Sequence, residues 1–287
     1  MRFLVLMTQA GAFCLILAVL LGFAGALHPA FDSLSLLRLP LAILCLLVLV
    51  FPMRVRLRLM LAGTALLGAA TTVPMFFAAP AAGELRIYSK NMWYGNPEGD
   101  ALAADIRASE ADVVALQEVS LRNGAMLAGL QDVYPYQHMC TFNGWNGIAV
   151  LSRTPMRQQT CTERRAVAAA MIEHRDGQVW VASMHLSWPF PYANATSAQA
   201  ATEVLSEMEG PVVIAGDFNI FPWANSVRSL QKIADLQVAQ PVRSTLDLRG
   251  VPLMLDHVHA PGGGRVQYRA LLGSDHLGVL ADVSLTR

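Results

Sequence analysis

The chain has 287 residues, 54% of them hydrophobic, with 21 basic and 21 acidic side chains and a formal charge of zero. That balance counts against a dedicated nuclease, which is usually basic, without excluding one. The averages conceal a junction near Pro80. Ahead of it the ionised residues are Arg2, Asp32, Arg38, Arg54, Arg56 and Arg58, and behind it 16 basic residues face 20 acidic ones, a balance of −4. Phe3 to about Leu27 is an apolar run long enough to cross a bilayer, which takes about 20 residues. Leu39 to Met53 is shorter, counting from Leu34 puts Arg38 at its boundary, where it could snorkel, and Leu59 to about Phe77 is a third candidate. Ala24-Gly25-Ala26 resembles a signal-peptidase site. Two further apolar runs nevertheless favour a retained membrane segment of about three helices over residues 1–80. Arg54, Arg56 and Arg58 crowd the turn between the second and third runs, and positively charged short loops stay cytoplasmic. Three crossings then place everything after Pro80 outside a plasma membrane.

Residues 84–287 read as one soluble domain with its own core. Glu84 to Asn91 alternates as a strand, Ala101 to Ser109 has helical spacing, and Asp112 to Gln117 is a strand that presents Glu118. Tyr134 to Phe142 and Gly147 to Ser152 form a strand pair, and Ala166 to Glu173 with Gln178 to Leu186 a hairpin turned at Arg175-Asp176-Gly177. Trp188-Pro189-Phe190-Pro191-Tyr192 cannot be a central strand and is predicted as a loop. Ser197 to Met208 and Ala224 to Ile233 are predicted helices on either side of the apolar strand Pro211 to Ala215, which runs into Gly216-Asp217-Phe218-Asn219. Strands are expected over Leu253 to His259, Arg265 to Leu271 and Leu277 to Leu285, with Gly262-Gly263-Gly264 as a turn. Mixed hairpins and βαβ units define an α/β sandwich of mixed sheets. Cys140 and Cys161 are free to pair in an oxidising compartment. Cys14 and Cys45 read as small buried residues of the apolar runs.

The chemistry sits at six strand ends: Asn91, Glu118, His185, Asp217 with Asn219, Asp256, and Asp275 with His276. Polar residues after strands are ordinary turn formers, but this recurrence is not a property of turns. Glu118 and Asp275 are hard oxygen ligands and Asn91 a neutral one, a set suited to Mg²⁺, with Mn²⁺ as the alternative. His276 is the proton-transfer group, and Asp256 orients it and stabilises its charged form. Asp217 would position or deprotonate a water. Asn219 and His185 would donate hydrogen bonds to charge developing on phosphoryl oxygens. The set suits metal-assisted attack of water on a phosphorus ester or anhydride. His257 and His259 alternate away from the face that Asp256 uses and are expected to be structural or exposed. Arg153, Arg164 and Arg165 are either phosphate clamps or solvated strand-end residues. The aromatic stretches Trp188–Tyr192 and Phe221-Pro222-Trp223 read equally as a lipid-facing rim or as loop packing.

Asn91, Leu116-Gln117-Glu118, Gly147 to Arg153, His185-Leu186, Gly216-Asp217-Phe218-Asn219, Asp256 and Gly273-Ser274-Asp275-His276 occur in an order that resembles the endonuclease/exonuclease/phosphatase superfamily, the DNase I-like fold, across residues 84–287. The resemblance implies a four-layered α/β sandwich of two mixed sheets with a divalent-metal phosphohydrolase site at one rim. It implies Asn91, Glu118 and Asp275 near the metal, His276 with Asp256 as the base pair, and Asp217, Asn219 and His185 around the phosphate. Gly278 departs from the Pro found in many relatives, and no counterpart of the DNA-gripping loops of the nucleases is recognisable. The layout is similar to bacterial membrane-anchored members of the VanJ type. It implies an inner-membrane, multi-pass protein whose catalytic domain faces the periplasm and acts on a lipid-linked phosphate, a polyprenyl pyrophosphate or a phospholipid. Nucleic acid is the less favoured substrate, a non-catalytic membrane scaffold is the remaining alternative, and no protein partner is implied.

Overall fold

The computed structural model describes residues 2–77, 83–175 and 177–286; the expected junction at Pro80 and the turn residue Asp176 lie outside them. The apolar N-terminal region forms α1 (Arg2–Leu21), the short α2 (Pro29–Leu34), α3 (Arg38–Val48) and α4 (Val55–Ala70), with 3-10 turns at Ser35–Leu37 and Val73–Phe76. Ala12, Ile16 and Val19 of α1, Cys45 of α3, and Leu61 and Ala65 of α4 meet in one apolar cluster. Among the described residues, two stretches, Pro29–Val48 and Val55–Phe76, are long and apolar enough to cross a membrane, and Val5–Leu21 is a shorter apolar helix. Helix α4 starts at Val55, so Arg56 and Arg58 belong to its first turn rather than to a loop. Cys14 faces outward, unlike the buried position expected from its apolar context.

The domain beyond has two six-stranded sheets. The first runs β13-β14-β1-β2-β4-β3, built from β1 (Leu85–Asn91), β2 (Val113–Val119), β3 (Tyr136–Cys140), β4 (Gly147–Ser152), β13 (Gly264–Arg269) and β14 (Gly278–Val283). The second runs β5-β6-β7-β8-β12-β9, built from β5 (Met156–Cys161), β6 (Val167–His174), β7 (Gly177–His185), β8 (Val212–Asp217), β9 (Gln237–Val238) and β12 (Asp256–Ala260). A separate ribbon pairs β10 (Leu246–Leu248) with β11 (Val251–Leu253). β1 and β2 run parallel across α5 (Gly99–Ala108), and β7 and β8 run parallel across α7 (Asn194–Ser206). These two βαβ units put Asn91, Glu118, His185 and Asp217 at the same rim.

Alternation explains the layers. Ile87, Val113, Ala115 and Val150 face Ala170, Val181, Val213 and Ala215 between the sheets. Their neighbours Tyr88, Val114 and Leu116 face outward under α5 and α6 (Ala125–Gly129), while Ala182, Met184 and Ile214 face outward under α7 and α8 (Asn225–Ile233). Strands buried on both sides read as continuous apolar runs, which is why β2 and β8 stand out in the sequence. The polar strand β5, the two-residue β9 and the β10–β11 ribbon carry no such run, and Leu253 to His259 is broken between β11 and β12. Cys140 of β3 and Cys161 of β5 form a disulfide, joining the two sheets at one edge.

The helical region is docked onto this domain, not merely tethered to it. Arg38 is buried instead of snorkelling: its Nη2 donates to the Gly22 carbonyl at 2.8 Å, its Nη1 to the Trp223 carbonyl at 3.3 Å, and it lies over the Phe23 ring. Asp32, also buried, accepts from the backbone N–H groups of Asn225 (2.5 Å) and Ser226 (3.0 Å) at the start of α8, a helix N-terminus that favours a carboxylate. Trp223 Nε1 donates to the Ser35 carbonyl at 2.8 Å. Phe221 and Trp223 pack with Leu36, Met75 and Phe76, so this aromatic pair is an internal interface and not a lipid-facing rim.

Candidate active site

Local backbone devices place several of the predicted residues at the common rim. Glu118 sits at φ 55°, where the β2–β4 register shifts between Gln117 and Val119. A bulge of this kind re-aims a side chain. Gly216 has φ 150°, and a Cβ there would lie 2.1 Å from the Met184 carbonyl oxygen. This close approach of β8 to β7 sets Asp217 opposite His185. Asp217 is also opposite Asp256 on its other side. Gly216→Ala is expected to cost on the order of 3 kcal/mol by strain and overlap, read as a lowered melting temperature. Gly273 (φ 77°) likewise has no room for a Cβ beside Asn96 Oδ1.

Most of the side chains are buried, and they form a hydrogen-bonded set around Asn91 and Asp217 beside a His–Asp pair. Asn91 Nδ2 donates to Glu118 Oε1 (3.2 Å) and to Asp217 Oδ2 (3.0 Å), while its Oδ1 accepts from the Trp93 N–H. Glu118 Oε2 accepts from the Tyr94 N–H at 3.0 Å. Asp217 also accepts from the Asn219 backbone N–H and side-chain Nδ2, and Asn219 Nδ2 donates to the Leu186 carbonyl. His185 Nε2 lies 3.8 Å from Glu118 Oε1 and 3.7 Å from Asp217 Oδ2. His276 Nδ1 meets Asp256 Oδ2 at 2.7 Å. Asp275 is exposed beside this pair, and its negative charge acts on His276 and Lys90.

Electrostatics separates the roles. Burial opposes charge on His276, but Asp256 through its charge and its hydrogen bond, then Asp217 and Asp275, outweigh it and raise its pKa to about 10. Burial, reinforced by Arg165 and His276, holds His185 well below the usual imidazole range, so that ring is neutral. Burial raises Asp217 to about 7, with Asp256 adding to it and His276, Asn219 and Asn91 opposing. Asp217 is a carboxylate buried at a cost, and it shares the Asn91 Nδ2 donor with Glu118, an acid-rich setting that suits a divalent cation. The candidate donors are carboxylate oxygens, which fit Mg²⁺ or Mn²⁺ better than zinc, while the Asn91 amide turns its Nδ2 toward them and its Oδ1 toward the Trp93 N–H. Asp217, Asp256 and His276 also bring potential ligand atoms within 4.8 Å of one another. The other such group, His138 with Cys140 and Cys161, has its thiols committed to the disulfide.

Several contributors escaped the sequence reading. Lys90 is fully buried on β1, and its Nζ donates to the carbonyls of Ala270 (3.1 Å), Leu271 (2.7 Å) and His276 (2.6 Å). It therefore ties down the loop that carries Asp275 and His276, and burial lowers its pKa to about 8. A lysine inside a strand buried on both faces was the available signal. Lys90→Met would strand three carbonyls and is expected to cost on the order of 3 kcal/mol, measurable by thermal unfolding. Ser274 Oγ donates to the Asn91 carbonyl and accepts the His276 N–H. Thr245 Oγ1 accepts from the Asp256 N–H, while its carbonyl accepts from the Leu277 N–H. Arg165 is the arginine of its group that reaches the site, with Nη1 3.4 Å from His185 Nε2 and 3.3 Å from Asn146 Oδ1. Arg153 instead donates to the Ala111 carbonyl beside Tyr134. His257 and His259 are buried, His257 stacked on the Phe218 ring and His259 edge-on to it, in keeping with the structural role expected of them.

Two mixed sheets between helical layers, with acids, amides and a His–Asp pair at one rim, are the arrangement that the sequence resemblance implied. The sequence model of the Endonuclease/Exonuclease/phosphatase family matches residues 88–276, and the chain belongs to that family. The family lies in a superfamily of phosphoesterases whose members use divalent metal ions. Among solved structures, an endonuclease/exonuclease/phosphatase protein of Bacteroides vulgatus superposes with a TM-score of 0.59 at 17% identity, covering 69% of this chain and 97% of that one. A conserved protein of unknown function from Enterococcus faecalis gives 0.58 at 15% identity, over 70% and 99%. Truncated TDP2 of Caenorhabditis elegans gives 0.55 at 16% identity, over 69% and 96%. No curated protein matches the chain in sequence.

Proposed function

We propose that the protein is a membrane-anchored, divalent-metal-dependent phosphohydrolase whose catalytic domain lies outside the plasma membrane and acts on a lipid-linked phosphate. The observation that carries the lipid assignment is the docking of the apolar helices through Asp32 and Arg38 onto the segment Trp223–Ser226, a few residues beyond Asp217 and Asn219. The −4 balance of the domain repels a polyanion and supports the same choice. The cluster Arg54, Arg56 and Arg58 at the far end of the helices supports a cytoplasmic turn, and the Cys140–Cys161 disulfide suits an oxidising compartment.

Glu118 and Asp275 would hold the metal, with Asp217 and the Asn91 amide beside them, and the metal would supply charge neutralisation at the phosphoryl oxygens. His276, held by Asp256, takes the proton of the attacking water at Nε2. Asp217 fixes that water, and the neutral His185 and Asn219 contact the phosphoryl oxygens. Arg165 adds a fixed positive charge at the same wall. The test is phosphate release by full-length protein in detergent with Mg²⁺, from a polyprenyl pyrophosphate and from a phospholipid, beside nicking of plasmid DNA. Lipid turnover abolished by His276→Ala supports the reading. DNA nicking alone, equally dependent on His276, would replace it with an anchored nuclease.

A further inference from the structure

Helix α3 has 11 residues, about 17 Å at about 1.5 Å per residue, against a hydrocarbon core of about 30 Å. The residues just before it cannot make up the length in lipid, because Asp32, Ser35 and Arg38 are buried against the catalytic domain. The ends of α1 and α4 lie at this same level. Arg38 reaches the Gly22 carbonyl just beyond α1, and Gly68 near the end of α4 packs against Ala42 and Arg38. If these helices cross a bilayer, the face of the domain clamped to them sits within the headgroup layer and not above it.

The loop following His185 lies on that face. Phe190 packs edge-on to His28 with ring centroids 5.5 Å apart, and its carbonyl accepts from Ser33 Oγ. The loop nevertheless leaves Trp188 39%, Phe190 47% and Tyr192 70% exposed. Three half-exposed aromatics on one loop, contiguous with membrane-crossing helices, match the composition of the water–lipid interface, where Trp and Tyr gather. The loop is also firmly held: Asn194 Nδ2 donates to the carbonyls of Ser187 (2.6 Å) and Phe218 (3.0 Å), the second lying in the Gly216–Asn219 turn.

We propose that the 187–193 loop is an interfacial anchor whose Trp188, Phe190 and Tyr192 rest among the headgroups of the bilayer that the protein's own helices cross. The catalytic mouth then opens at headgroup depth, and a phosphate reaches His276 and Glu118 while its lipid stays in the leaflet. This rests on the reading that the helices span the membrane, and it adds where the mouth stands relative to the surface.

The test uses full-length protein in phosphatidylcholine–phosphatidylglycerol vesicles containing lipid brominated near the headgroup end of its chains. Flotation first reports whether the protein is membrane-bound, and tryptophan quenching then reports depth, independently of any activity. The Trp188→Phe variant retains an aromatic ring and should fold as the parent does. We expect quenching in the parent, with the quenched fraction falling at least twofold in Trp188→Phe. Flotation with equal quenching in both proteins overturns the anchor and leaves the membrane-bound enzyme standing. Failure to float removes both.

Discussion

His276→Ala is expected to lower phosphoester turnover by roughly 10³-fold, within the 10²–10⁴ range of a general base. The ring is buried and bonded to Asp256 at 2.7 Å, so its truncation removes the proton acceptor without disturbing the apolar core between the sheets. The more discriminating variant is Asp256→Asn. A base works in its neutral form, so the rate rises as pH passes its pKa. Asp256 is the largest influence raising the His276 pKa to about 10, and burial opposes it. Without the carboxylate, burial prevails, and the rising limb of the pH–rate profile should move to lower pH while the plateau falls through loss of orientation. An unmoved limb would mean that His276 is not the group being titrated.

Asp217→Asn is expected to be nearly as damaging to turnover, by about 10²-fold or more, while changing stability in a way peculiar to a buried acid. Burial raises its folded pKa from 3.8 to about 7. Between those values the folded state holds a proton that the unfolded state has lost. The wild type should therefore lose stability as pH climbs from about 4 to 7 in chelator, by an amount on the order of a few kcal/mol. Thermal unfolding in chelator should show that slope in the wild type and a flatter one in Asp217→Asn. Added Mg²⁺ should raise the wild-type melting temperature more at pH 8 than at pH 5, because the ionised carboxylate is the form that binds a cation.

The catalytic rim was legible because its residues end strands that are buried on both faces: Val113 to Gln117 before Glu118, and Val212 to Gly216 before Asp217. Alternation put His257 and His259 off the face that Asp256 uses. What escaped lacks a local pattern. β5 is polar, β9 is two residues long, and the ribbon β10–β11 carries no apolar alternation. Lys90, Ser274 and Thr245 act on backbone groups up to 186 residues away, which no spacing reports. Arg38 was misread for the same reason: next to an apolar run it suggested snorkelling, whereas its partners Gly22 and Trp223 are brought together only by docking.

The proposal that Glu118, Asp217 and Asp275 hold one divalent cation underlies the whole scheme, and Mn²⁺ binding followed by electron paramagnetic resonance tests it directly. Titrated into full-length protein in detergent, the wild type should remove one equivalent of Mn²⁺ from the free-ion signal. Glu118→Gln should bind at least tenfold more weakly, and Mg²⁺ should displace the bound ion. No binding by the wild type, or binding indifferent to Glu118, would contradict the assignment of this rim as a metal-dependent phosphohydrolase site.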